Sequence, residues 1–160
     1  MATRFEDVPQ DVVEFVSSVQ DKHFPNLNTA IIKIFFDVKK RKSEGKFVLA
    51  RIKKANDEIK ILAMNDNGTM PDYLLFIDKN VWQNISDTDK EKLIYHEFCH
   101  CEVDFEKENP YMIKGHEIQT FYDEIEFVRD DPRWIERVGA IASHVYDPDN
   151  NEMPEDNGQQ

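Results

Sequence analysis

Cysteine is scarce in this 160-residue chain, limited to Cys99 and Cys101. Two residues apart on a predicted helix, their side chains diverge too far to pair, and no other cysteine exists, so an intramolecular disulfide is excluded and a reducing compartment is expected. Long apolar runs are missing too: nothing approaches the roughly 20 residues needed to cross a bilayer. Met1 to Phe5 lacks the basic-then-apolar pattern of a secretory signal, which makes the cytoplasm the expected location and a membrane partner unexpected. Positive charge is in short supply, with 20 Lys and Arg against 32 Asp and Glu and a net charge of −12. That balance excludes a general nucleic-acid surface, which needs clustered cations to displace phosphate counterions. The one basic stretch, Lys39 to Lys42, lies between predicted strands and reads as a solvated hairpin turn. Internal repeats are absent.

What is present suits a water-exposed globular domain. Hydrophobic residues make up 40% and charged residues 32%, enough for a core and a solvated surface. Residues 1–146 are expected to form one domain. Residues 147–160 hold two prolines, several Asn and Asp and almost nothing apolar, which predicts an acidic disordered tail.

Val12, Val13, Phe15, Val16 and Val19 have near-helical spacing, and Pro25 follows, so an opening helix is expected. Thr29 to Val38, Lys46 to Lys53 and Glu58 to Met64 read as strands of an antiparallel meander, the third introduced by the turn formers Asn56 and Asp57. Asp66-Asn67-Gly68 marks another turn before an apolar strand at Tyr73 to Ile77. The fold class this predicts is α+β: an N-terminal helix, a small, mostly antiparallel sheet of about four strands, a motif-bearing helix and two further helices. The motif helix should begin at Ser86, whose hydroxyl can cap amides with Asp89 completing a capping box, and run to about Asp104. Ile94, Phe98, Cys101 and Phe105 form its expected core stripe. Gly115 precedes the next helix, with Ile118, Phe121, Tyr122, Ile125 and Val128 on one face, and Asp131-Pro132 starts the last, toward Tyr146.

His96 and His100 lie off the core stripe, in the arrangement His96-Glu97-Phe98-Cys99-His100. Residues four apart on a helix are about 6 Å apart along the axis and share a face, so two imidazoles can reach one metal. Zinc takes neutral imidazole nitrogens at roughly 2.0–2.1 Å and keeps an open position when a protein supplies three ligands. Glu97 then sits where a carboxylate can take a proton from an attacking water and pass it to a leaving amine. His116, opening the next helix, is the expected third ligand, with Glu117, Asp123, Glu124 and Glu126 as rivals. Val103 and Glu106 do not complete a metzincin pattern. Tyr111 or Tyr122 could serve an oxyanion, although Tyr122 falls on an apolar face. Cys99 and Cys101 read as small buried hydrophobes, and His23 and His144 as structural or surface histidines.

Together, the motif and Lys114-Gly115-His116-Glu117-Ile118-Gln119-Thr120-Phe121 resemble the SprT-like zincins, and more closely the phage metallopeptidase family, over about residues 30–145. Tyr73-Leu74-Leu75-Phe76-Ile77 and Trp82 match the strand and tryptophan that lead into the motif helix there. The resemblance implies a zincin-like fold and one zinc per chain on His96, His100 and His116. It also implies Glu97 as the catalytic residue, a peptide or protein substrate, and the host cytosol if the chain is phage-encoded. An edge strand above the metal binds extended peptide in that architecture, which points to Tyr73 to Asp78. The SprT-like His-Gly pair is reversed here to Gly115-His116, and Glu117 stands where phage members often carry Asp, as an orienting carboxylate. The competing reading is a non-catalytic acidic phage accessory or host-defence-antagonist protein with a structural or vestigial zinc site. Oligomeric state is not legible.

Overall fold

The computed structural model describes residues 3–115 and 122–147. Helix α1 (Gln10–His23) forms where Val12, Val16 and Val19 recur every three or four residues, and it buries those three. Strand β2 (Ile32–Asp37) follows, then a two-stranded hairpin of β3 (Lys42–Ser43) and β4 (Lys46–Phe47) and strand β5 (Ala50–Lys54). The hairpin turns through Glu44 and Gly45, both at positive φ, which glycine adopts without strain. Strand β6 (Tyr73–Asp78) is buried at all six positions.

The main sheet has the order β1-β2-β6-β5, where β1 (Phe5–Asp7) is a short strand that sequence periodicity did not reveal. β2 and β6 run parallel, with Ile34 opposite Leu75, and β5 pairs antiparallel to β6 on the other side. The architecture is therefore α+β with two of three pairings antiparallel, but the sheet is not a meander. β6 lies in its middle, and β5 takes the edge position that the sequence reading had given to Tyr73 to Asp78. A fully buried strand reads as a continuous apolar run whether it is central or peripheral, so the run alone did not determine its place.

A second correction concerns Glu58 to Met64, which lie within or just after helix α2 (Asp57–Leu62) instead of a strand. Asn56 is an N-cap, its side-chain oxygen accepting from the Ile59 amide at 2.8 Å, so a residue read as a turn former starts a helix. None of α2 is buried, and Ile61 and Leu62 project into solvent.

After α3 (Lys79–Trp82), the motif helix α4 (Asp87–Cys99) starts as expected, with Ser86 accepting from the Asp89 amide at 3.2 Å. The Asp89 carboxylate does not close a capping box; it binds Arg137. The helix ends five residues earlier than predicted. His100 is its C-cap, and the chain enters a hairpin of β7 (Cys101–Val103) and β8 (Tyr111–Ile113). Cys101 is thus a half-buried strand residue and Phe105 is exposed, while Leu93, Ile94 and Phe98 form the buried face of α4. α5 (Tyr122–Phe127) and α6 (Trp134–Tyr146) follow. α6 is tied to α4 by Arg137 on buried Asp89, and Lys92 on α4 reaches Asp131 at 2.7 Å. No helix among the described residues is long and apolar enough to cross a membrane.

Candidate metal centre

His96 lies in the last turn of α4, and His100 caps that helix. Their ring centres are 5.4 Å apart and their planes are inclined by 80°. Two imidazoles sharing one tetrahedral zinc at about 2.0–2.1 Å place their ring centres on the order of 5 Å apart, so the spacing fits a shared ion.

The hydrogen bonds of the rings fix which nitrogen of each carries the lone pair. His100 Nδ1 lies 2.8 Å from the carbonyl oxygen of Lys114. A carbonyl only accepts, so Nδ1 carries the proton and Nε2 carries the lone pair of the neutral ring. His96 Nδ1 lies 2.7 Å from Glu124 Oε1, and the carboxylate imposes the same tautomer. Metal-ligating histidines are held in this way, by a carboxylate or carbonyl on the second ring nitrogen. The Lys114 contact arises because the β7–β8 hairpin returns the chain to the end of α4, where the Lys114 amide also donates to the His100 carbonyl at 2.7 Å.

A family model, described as "Putative phage metallopeptidase", matches residues 3–146, from β1 through α6. The chain belongs to this family. No curated protein and no solved structure matches it.

In this chain the carboxyl of Glu97 is buried. Burial, reinforced by the charge of Glu124, pushes its pKa up to about 7, against the pull of His96 and of the Ile52 amide. His96 shows the opposite balance. Burial disfavours its charged form, but the hydrogen bond to Glu124 and the charges of Glu97 and Glu124 outweigh that, and the imidazole titrates above its usual range.

His116 and Glu117 lie outside the described residues. Among the described residues no group of three metal-ligating side chains is assembled. Of the rival third ligands, Glu126 points to the surface, where it pairs with Arg129 at 2.8 Å, and Glu124 is spent on His96. Tyr111 is buried, hydrogen-bonded to Thr29 and packed on Tyr73, so it is a core residue and not an oxyanion donor. Cys99 is buried as expected. Burial pushes the Cys101 thiol up to about 12, which keeps it protonated and a poor metal ligand. His23 is bonded to Glu91 at 2.8 Å and stacked edge-on against Tyr95 and Phe127, a structural role.

Three groups escaped the sequence reading: the orienting role of Glu124, the Lys114 carbonyl and the Ile52 amide on Glu97. The last two are backbone groups and leave no trace in residue identity. Glu124 was visible only as one acid among several on an acidic helix.

Proposed function

We propose that this chain is a zinc-dependent hydrolase of peptide bonds, with His96, His100 and His116 as ligands and Glu97 as general base. The observation that carries the reading is the pair of Nδ1 hydrogen bonds, which put the lone pair of each neutral ring on Nε2, as a metal requires, in two imidazoles 5.4 Å apart with a buried carboxylate next in sequence to His96. A merely structural metal site gains nothing from an adjacent buried Glu97. Zinc, when bound, supplies Lewis acidity toward a carbonyl and makes water nucleophilic near neutral pH.

The residues of the chain do the rest. Glu97, with a pKa close to neutrality in the metal-free chain, can take the proton of an attacking water and return it to the leaving amine. Glu124 holds His96 in one tautomer, and the Lys114 carbonyl does the same for His100. The sheet edge near Glu97 is β5, so β5 replaces β6 as the strand along which an extended peptide would align. Support for His116 as third ligand comes from its place in the sequence, two residues after Lys114, whose carbonyl is bonded to His100.

His116→Ala is accordingly expected to weaken zinc binding much more than Glu124→Ala, whose loss should cost roughly 10–100-fold through disorientation of His96. Competition with a chromogenic chelator measures both. The reverse order would make Glu124 the ligand and His116 dispensable.

The metal-free chain should also show a particular pH dependence. Glu97 is raised from 4.5 to about 7, and His96 is raised above 6.5. Both bind protons more tightly folded than unfolded, so their stabilising contribution is complete below the unfolded values and is lost as pH rises through the folded ones. Asp37, where Arg4 and Arg41 outweigh burial, and Glu91, where His23 and Lys22 do, act in the other sense and lose their contribution as pH falls. Urea denaturation of metal-free protein should therefore give higher stability at about pH 5.5 than at about pH 8, by up to roughly 2 kcal/mol from Glu97. Glu97→Gln should flatten that slope. Saturating zinc should oppose it, because the ligands must be deprotonated to bind. Equal slopes for wild type and Glu97→Gln would contradict the buried-carboxyl assignment.

A further inference from the structure

Beside His96 and Glu97 opens a cavity of about 410 Å³. Its walls come from three places in the chain: Leu49 and Ala50 at the start of β5, Leu93 on α4, and Val128, Trp134 and Ile135 around the α5–α6 connection. Leu49, Leu93, Val128 and Trp134 are themselves core residues, less than a tenth exposed, so these walls are rigid and not loosely draped loops. Ile135 is half-exposed at the mouth. The polar groups that reach the cavity are the site residues His96, Glu97 and Glu124 on one side and Arg129, ion-paired to Glu126, on another.

We propose that this cavity is the specificity pocket of the site, and that it takes a large apolar side chain, aromatic or of the Leu or Met type, from the residue flanking the bond to be cut. The proposal rests on the hydrolase reading for the identity of the occupant. It rests on the geometry for the location, because His96 and Glu97 are wall residues of the same cavity. The volume falls within the range of roughly 300–1,000 Å³ typical of ligand sites, and an apolar enclosure favours a side chain that gains by leaving water. A charged side chain seated against Leu49, Leu93, Val128 and Trp134 would lose its hydration against apolar walls. Pocket size is set by Ala50, the smallest wall residue, and by Ile135 at the entrance.

The test uses the full chain with zinc added and two probes, N-acetyl-phenylalanine amide and N-acetyl-alanine amide, followed through backbone amide shifts of Ala50, Val128 and Ile135. The phenylalanine probe should perturb these residues saturably and the alanine probe should not. Ala50→Phe, which fills the cavity from an edge strand that tolerates aromatic residues, should weaken the phenylalanine probe about tenfold or more. Ile135→Ala, at a half-exposed position and safe for folding, should shift the preference toward bulkier probes such as N-acetyl-tryptophan amide. Equal responses to both probes, or unchanged probe affinity in both variants, would overturn the pocket. Digestion of a peptide library separates this claim from the hydrolase reading. Cleavage without preference for large apolar residues, together with absent phenylalanine binding, removes the pocket and leaves catalysis standing. Phenylalanine binding at the pocket with no cleavage of any peptide leaves the pocket standing and removes catalysis.

Discussion

Glu97→Gln is expected to retain about one zinc per chain and a native fold while losing roughly 10²–10⁴-fold in turnover, the usual contribution of a general base. Glutamine has nearly the shape of glutamate and keeps an oxygen that can accept the Ile52 amide, so the hydrogen bond that holds residue 97 is preserved. It cannot accept the proton of water. Because the buried carboxyl carries a raised pKa, the substitution also removes a desolvation penalty at pH 8, and the variant should be at least as stable there as wild type. The loss should appear in kcat with KM little changed, since the lost interaction belongs to the transition state. Steady-state kinetics on a peptide identified from a library, with zinc content measured on the same samples, checks this. If wild type and Glu97→Gln have the same effect in cells or on peptides, the chain acts as a binding protein and the acid at position 97 has no catalytic part.

His96→Ala and His100→Ala are expected to abolish tight zinc binding, with the zinc-dependent gain in thermal stability disappearing alongside it. Each also unsettles a neighbour. His96→Ala takes from Glu124, 3% exposed, the imidazole to which it is bonded, and a buried carboxylate that loses such a hydrogen bond costs about 1–3 kcal/mol. His100→Ala strips the Lys114 carbonyl of one donor at the end of α4. A double variant, His96→Ala with Glu124→Ala, should recover part of the stability of His96→Ala but none of its zinc affinity. Equilibrium dialysis with circular dichroism distinguishes the two effects. Stoichiometric zinc in either single variant would place the metal elsewhere.

The site was legible where side-chain identity carries it. The four-residue spacing of His96 and His100 needs only a helix to become a pair able to chelate, and Ser86 announces that helix through its own hydroxyl. The end of the helix was not legible, because His100 is its C-cap, with helical dihedrals and no glycine after it, and the stripe of Ile94, Phe98, Cys101 and Phe105 continued the helical period by coincidence. Three-residue strands such as β1, β7 and β8 offer too few positions for alternation to show. Strand order was hidden for a different reason. The parallel pairing of β2 with β6 depends on a crossover through the intervening hairpin, β5 and α2, and an apolar run such as Tyr73 to Ile77 reports burial without naming its neighbours. Asn56 shows how one chemistry serves two ends, since the side chain that closes a turn also caps a helix.

A crystal structure of the zinc-loaded protein, with the metal located by its anomalous scattering, tests the central claim most directly. The account predicts one peak within about 2.0–2.1 Å of Nε2 of both His96 and His100, with His116 completing the protein ligands and Glu124 remaining on His96 Nδ1. An anomalous peak away from these imidazoles, or none at saturating zinc, would contradict it.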